Sequence, residues 1–270
     1  MDAMMSASRE FFRQPIDEKR RYTDLVDGER FEDHLEGYGS EQLTSKDQTS
    51  LDWSDRLYLK VEPQGERSLR LWPESFRDVL HEYSVQCSLV KERLVSAMAR
   101  LLGLDEDHFL AEEPDDRATT YARIIYYPPC PRPDLVLGVK PHSDATLITI
   151  LMANDHDVGG LQVLRDDDWY NVLATLAPHA LLISVGDMME IMSNGIFKSP
   201  VHRVVTNASK GRMSAVMFYG PDLDKEIGPA DQLIDNRRPA WYKRVKVKDY
   251  VHGLFQNFSR GARVIDTVRI

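Results

Sequence analysis

The stretch Gly138-Val139-Lys140-Pro141-His142-Ser143-Asp144-Ala145-Thr146-Leu147 carries an imidazole and a carboxylate two residues apart. In an extended segment, residues i and i+2 leave the same face, so His142 and Asp144 are expected to converge on one point. The apolar run from Leu147 to Met152 that follows is β-prone and ties the pair to a sheet. His202, 58 positions beyond Asp144, lies in a second β-prone run, Pro200-Val201-His202-Arg203-Val204-Val205, and shares a face with Val204. A His-x-Asp pair alone is weak evidence, because surface loops generate it by chance; the joint spacing on strands is the specific signal. Two histidines and one carboxylate on one side of a metal, with the other positions open, form the facial arrangement suited to non-haem Fe(II) and oxygen chemistry.

Ten residues beyond His202, Arg212-Met213-Ser214 again puts two polar side chains on one face of an apolar strand, Arg212 to Tyr219. A guanidinium aimed into a barrel needs an anion, and its planar fork matches a carboxylate, with a neighbouring hydroxyl adding a donor. An iron-chelating 2-oxo acid with a carboxylate at its far end, 2-oxoglutarate, satisfies this set. Phe218 has the parity of Arg212 and Ser214 and is expected to point at the same cavity, against the plainer reading that it fills the barrel. Tyr127, Ile125 and Arg123 share one parity, so an inward Tyr127 could donate its phenol to the co-substrate carboxylate.

Working outward, the chain changes character near residue 118. Before it, helical patterns dominate: Asp2 to Gln14, stopped by Pro15; a further turn over Asp17 to Tyr22; and a long amphipathic helix in which Phe76, Val79, Leu80, Tyr83, Cys87, Val90, Leu94, Met98, Leu101 and Leu102 recur at three and four residues. Gly103 is its expected stop. From Thr119 onward short candidate strands follow at Tyr121 to Tyr127, Leu147 to Met152, Leu161 to Leu164, Tyr170 to Leu173, Leu181 to Val185, Val201 to Val205 and Arg212 to Tyr219. Gly, Pro, Asp and Asn clusters separate them, which points to a sandwich or barrel. Asp166-Asp167-Asp168 reads as a hairpin turn. A last amphipathic helix is expected over Val247 to Phe258, with Tyr250, Val251, Leu254 and Phe255 on its apolar side. The expected division is a helical region, 1–118, a β core, 119–225, and a C-terminal helix and tail, 226–270.

The stretch quoted first resembles the first metal motif of the plant Fe(II)/2-oxoglutarate-dependent dioxygenases. Further similar landmarks are Glu36-Gly37-Tyr38-Gly39, Leu51-Asp52-Trp53-Ser54-Asp55, Tyr126-Tyr127-Pro128-Pro129-Cys130-Pro131-Arg132-Pro133-Asp134, Gly186-Asp187, Asn194-Gly195, Ser199-Pro200-Val201-His202-Arg203 and Arg212-Met213-Ser214. Within the family the chain looks most like the group of senescence-related oxygenases, alkaloid O-demethylases and herbicide-detoxifying oxygenases. The resemblance implies a mainly β fold, the double-stranded β-helix or jelly roll, with supporting helices. It also implies Fe(II) on His142, Asp144 and His202, 2-oxoglutarate on Arg212, Ser214 and Tyr127, O2 as co-substrate and ascorbate as reductant. Arg123 falls where some relatives carry a cation near the substrate pocket, and relatives use an aromatic at the position of Phe218 to stack on the substrate, although a surface ion pair is an equal reading for Arg123. Two departures stand out. The segment that usually opens the family's chains is missing, so an edge strand of the barrel is expected to be absent, and Ile125 stands where the family commonly has an Asn that helps hold the co-substrate.

With 42% apolar and 29% charged residues the composition is that of a soluble globular protein. A formal charge of −9 argues against a nucleic-acid surface. Cys87 and Cys130 give no disulfide framework and fit a reducing, cytoplasmic compartment. No apolar run approaches transmembrane length, and a monomer with a small-molecule substrate is expected. Asn154-Asp155-His156-Asp157 could chelate a cation but reads as a loop. Two alternatives stay open: an iron oxidase of the aminocyclopropane-carboxylate oxidase type, which does not consume 2-oxoglutarate, and a non-catalytic or defective shortened binding protein.

Overall fold

The computed structural model describes residues 1–23, 36–39, 52–110, 118–153, 158–172, 179–258 and 263–270. The helices are α1 (Asp2–Arg13), α2 (Ile16–Arg20), α3 (Glu74–Leu101), α4 (Asp187–Met192) and α5 (Val247–Phe258). The strands are β1 (Gly37–Gly39), β2 (Asp55–Glu62), β3 (Thr119–Tyr127), β4 (Leu137–His142), β5 (Ile148–Ala153), β6 (Leu161–Arg165), β7 (Asp168–Asn171), β8 (Leu182–Val185), β9 (His202–Val205), β10 (Arg212–Gly220), β11 (Glu226–Ile227) and β12 (Val245–Lys246).

Among the described residues one sheet has the order β1-β2-β3-β10-β5-β8 and a smaller one β4-β9-β6-β7; β11 and β12 form a separate pair. All the ladders are antiparallel. Ile125, Tyr127 and Val216 of the larger sheet cluster with Val139, Leu161 and Val204 of the smaller one, so the two sheets face each other as a jelly roll. The hairpin from β6 to β7 turns through Asp166 and Asp167, both at positive φ (50° and 66°), the backbone a two-residue turn needs to match strand twist.

The outer face of the larger sheet carries the main core. Leu57, Leu59, Ala122, Ile124, Ala215 and Met217 are all buried there, and α1 and α3 lie across them. Phe11 joins the layers, meeting Phe12, Tyr22, Tyr38 and Phe76 edge-on at 5.2 to 5.9 Å. Truncating such a buried ring costs about 3–5 kcal/mol. Helix α1 stops because Gln14, before Pro15, is forced into extended backbone. Helix α3 stops at Gly103, whose φ of +72° makes the left-handed cap.

The candidate strands from Thr119 onward form, with their ends shifted by a residue or two; Leu173 lies outside the described residues. Region 1–118 is not purely helical, because β1 and β2 extend the larger sheet. The signal for β2 is strict alternation: Leu57, Leu59 and Val61 are buried in the main core, while Arg56, Tyr58 and Lys60 take the other face. Strand β4 is also absent from the candidates, since Gly138 and Pro141 interrupt its apolar run. In α5, Tyr250 is buried and Val251 and Leu254 pack on the core; the side chain of Phe255 lies outside the described residues.

Candidate metal and 2-oxo acid site

His142 closes β4 and His202 opens β9, and the two are direct partners in the β4–β9 ladder. That pairing brings together residues 60 positions apart, with ring centroids 4.3 Å from each other. Asp144 arrives differently from the expectation of a shared strand face. Strand β4 ends at His142, and Asp144 sits in the connection to β5. Its carboxylate is aimed by Thr149, whose hydroxyl donates to Oδ2 at 2.8 Å. The other oxygen, Oδ1, then lies 3.6 Å from His142 Nε2 and 3.7 Å from His202 Nε2. One ligand atom from each residue falls within 4.8 Å of the others, the one such group of His, Cys, Asp or Glu among the described residues.

The tautomers follow from the backbone. His142 Nδ1 is 2.7 Å from the carbonyl oxygen of Lys140, and His202 Nδ1 is 3.3 Å from that of Pro200. A carbonyl only accepts, so each ring carries its proton on Nδ1 and turns an Nε2 lone pair inward. Burial, and then the neighbouring His202, pull His142 down to about 4, against the opposing pull of Asp144. The imidazole is therefore neutral near pH 7, the form that binds metal. The donor set of two neutral imidazoles and one carboxylate fits Fe(II).

Across the cavity, Arg212 and Ser214 lie on its wall, as their parity predicts. The Ser214 hydroxyl is fully buried and has no hydrogen-bond partner among the described residues, an orphan that a carboxylate would satisfy. Arg212 pairs with Tyr127 across β3 and β10, and its guanidinium stands 5.2 Å over the Tyr127 ring. The Tyr127 ring presses on Gly138, where any Cβ would come within 2.7 Å of it. Ile125 faces the same cavity directly opposite Ser214, and Arg123 and Phe218 line it further along.

The structure also shows groups that the sequence left without a role. Thr149 could have been flagged as a hydroxyl of inward parity in an apolar strand. Asp187, fully buried, accepts from Ser143 Oγ at 3.0 Å and from Tyr250 OH at 2.8 Å, and its backbone N–H donates to the Asp144 carbonyl at 2.8 Å. Burial raises its pKa, opposed by the nearby Ser199 hydroxyl and by the hydrogen bonds from Tyr250 and Ser143. Met188, Met189 and Met192 belong to the main core. His81, His108, His179 and His252 lie away from the cluster, and His34 and the Asn154–Asp157 segment lie outside the described residues.

Comparison with known proteins agrees with this chemistry. Residues 119–221 match the model of the 2OG-Fe(II) oxygenase superfamily, and residues 1–75 match that of the N-terminal part of non-haem dioxygenases in morphine synthesis. Protein SRG1 of Arabidopsis thaliana is 36% identical over 100% of this chain and 74% of its own length. Flavonol synthase/flavanone 3-hydroxylase of Petunia hybrida is 36% identical over 92% of this chain and 70% of its own. A crystal structure of JOX2 in complex with 2OG, Fe, and JA superposes with a TM-score of 0.86 at 33% identity, covering 100% of this chain and 78% of that one.

Proposed function

The chain belongs to the 2OG-Fe(II) oxygenase superfamily, and from that membership we propose how its residues divide the work of a 2-oxoglutarate/Fe(II)-dependent dioxygenase. His142, Asp144 and His202 hold Fe(II). Arg212 and Ser214 hold the far carboxylate of 2-oxoglutarate, with Tyr127 beside it. Bound iron and 2-oxoglutarate supply the oxidising chemistry, with O2 consumed and succinate and CO2 released. The observation that carries this reading is the single Asp144 oxygen facing both Nε2 atoms while both Nδ1 atoms are tied to carbonyls. The protein's own part is to keep three positions filled and the rest open, to fix the co-substrate end, and to exclude water with the apolar walls of the cavity.

The substrate is a small organic molecule. We assign its contacts to Phe218 and Arg123. Phe218 lines the cavity and is backed by Tyr58 at 6.4 Å, which stacks on Tyr121 at 5.2 Å, so an aromatic cluster stands behind that part of the wall. Tyr58 is also the direct partner of Arg123 in the sheet, which sets a cavity-lining cation beside that cluster. A specialised metabolite, hormone or xenobiotic with a flat or apolar body and a polar group suits this surface. Hydroxylation, demethylation or desaturation is the outcome, and ascorbate the reductant. The unit that carries the chemistry is 119–225, with 1–118 and 226–270 packed around it in a monomer. Cytoplasmic placement rests on the two free, buried thiols, Cys87 and Cys130. No helix among the described residues is long and apolar enough to cross a membrane.

The test is anaerobic addition of Fe(II) and 2-oxoglutarate to the purified chain, following the weak visible charge-transfer band of the chelate. The band is expected in the unmodified protein, lost in His202→Ala and weakened in Arg212→Ala. A folded sample with no band would overturn the assignment. Succinate release with a substrate separates this activity from an iron oxidase that does not consume 2-oxoglutarate.

A further inference from the structure

Two buried carboxylates on α4 take no part in the proposed chemistry, yet each grips a segment that carries metal ligands. Asp187 is held to Ser143, the residue between His142 and Asp144, and its N–H holds the Asp144 carbonyl. Glu190, one turn later on the same helix face, accepts the backbone N–H of Ser199 at 2.7 Å, three residues before His202. Both carboxylates are gripped in turn from the C-terminal part of the chain. Tyr250 OH donates to Asp187 at 2.8 Å and Tyr242 OH to Glu190 at 2.6 Å.

Packing does not call for these charges. The rest of α4 is Met188, Met189, Ile191 and Met192, all buried and apolar. Asp187 and Glu190 are equally buried, at 0% and 1% exposure. Burying a carboxylate is costly in itself unless its partners compensate, so the packing of the helix alone is a poor reason for two of them here. Their partners supply a better one. Each carboxylate spans from a C-terminal tyrosine to a ligand-bearing segment, the arrangement by which outer groups orient metal ligands.

On the reading that His142, Asp144 and His202 hold a metal, we infer that Asp187 and Glu190 are positioning residues that set the two ligand-bearing segments against each other, keyed by Tyr250 and Tyr242. The C-terminal part of the chain thereby controls the metal centre without touching it.

The experiment is Co(II) titration of the metal-free, full-length chain, read by visible absorption, with circular dichroism to confirm folding. Asp187→Leu is expected to weaken Co(II) about tenfold, the lower end for outer-group substitutions, and to change the band shape at saturation. Asp187→Asn keeps an acceptor for Ser143 and Tyr250 and is expected to restore both. Tyr250→Phe and Tyr242→Phe each delete one hydroxyl and are expected to weaken binding several-fold; they carry the test if Asp187→Leu does not fold. Folded Tyr250→Phe and Tyr242→Phe with the unmodified affinity and spectrum would overturn the inference while leaving the metal centre intact. An unmodified chain that takes up no Co(II) would instead remove the metal centre, and this inference with it.

Discussion

The Thr149 hydroxyl, buried in the wall of the larger sheet, donates to Oδ2 of Asp144 and so leaves Oδ1 as the oxygen that faces both histidines. Thr149 is itself steadied by Thr146, hydroxyl to hydroxyl at 3.1 Å. A carboxylate reaching a metal from a loop needs such a tether more than one on a strand, because the loop backbone alone does not fix its χ angles.

Thr149→Val keeps the shape of the side chain and deletes the donor. Outer groups of this kind are worth about 10- to 100-fold in metal affinity. The expected result is that much weaker Fe(II) or Co(II) binding by equilibrium dialysis, with a thermal midpoint within a few degrees of the unmodified chain. Unchanged metal affinity would mean that the Asp144 rotamer is set by something else.

Arg212 and Ser214 separate by magnitude. Arg212→Ala removes a charge-assisted partner of a buried carboxylate, worth about 2–5 kcal/mol, and is expected to raise the half-saturating 2-oxoglutarate concentration at least 30-fold. Ser214→Ala removes one hydroxyl donor, about 1.5 kcal/mol at the lower end for a charged acceptor, and is expected to raise it roughly tenfold. The same substitution leaves stability unchanged, since Ser214 Oγ has no partner among the described residues to lose. Succinate formation against co-substrate concentration measures both.

Most of this site was legible because a strand's period of two is rigid. Arg212, Ser214 and Phe218, or Arg123, Ile125 and Tyr127, must share a face once the strand is recognised, and all six line the cavity. What parity could not give is which strands pair. The meeting of His142 with His202 depends on the β4–β9 ladder, and β4 was hidden by Gly138 and Pro141. Strand β2 carries a clear alternation, but parity does not name its neighbour, so the placing of Tyr58 beside Arg123 emerged only from the register. Asp187 and Glu190 were invisible for another reason: on a helix of six residues a buried carboxylate looks like a solvated one until its partners, 44 to 63 positions away in the case of Asp187, are in place.

Gly186 precedes α4 and lies against Thr146, in the connection that carries Asp144. Its φ of −99° is open to any residue, so the restriction is space. A Cβ there would lie 2.1 Å from the Thr146 carbonyl oxygen, a backbone atom that cannot swing aside. Gly186→Ala must push α4 from the loop, disturbing the bonds from Gly186 N–H to Leu147 and from Met188 N–H to Thr146. Overpacking of this kind costs about 1–3 kcal/mol. Chemical denaturation should show that loss, together with weaker metal binding because Asp187 moves too. Full stability in Gly186→Ala would contradict the close approach.

Glu190 gives the pH dependence a sign. Burial, the largest influence, would raise its pKa, but the Tyr242 hydroxyl, the Ser199 N–H and the cations Lys198 and Arg263 together outweigh it and hold Glu190 below the ordinary carboxylate value. A carboxyl whose pKa is lower folded than unfolded binds fewer protons in the native state. Its stabilising contribution is therefore complete above the unfolded value, near 4.5, and is lost as pH falls through the folded value. Glu190→Gln removes the charge and keeps the size. At pH 7 the variant is expected to be less stable by about 1–3 kcal/mol, the cost of disturbing buried hydrogen bonds to a charged group. As pH falls below the unfolded value the two denaturation curves should converge, because protonation strips the charge from the unmodified chain as well. A gap that stayed constant as the pH was lowered until the carboxylate had titrated in the folded chain would show that the amide fails through shape or donor geometry rather than charge, and the electrostatic role of Glu190 would fall.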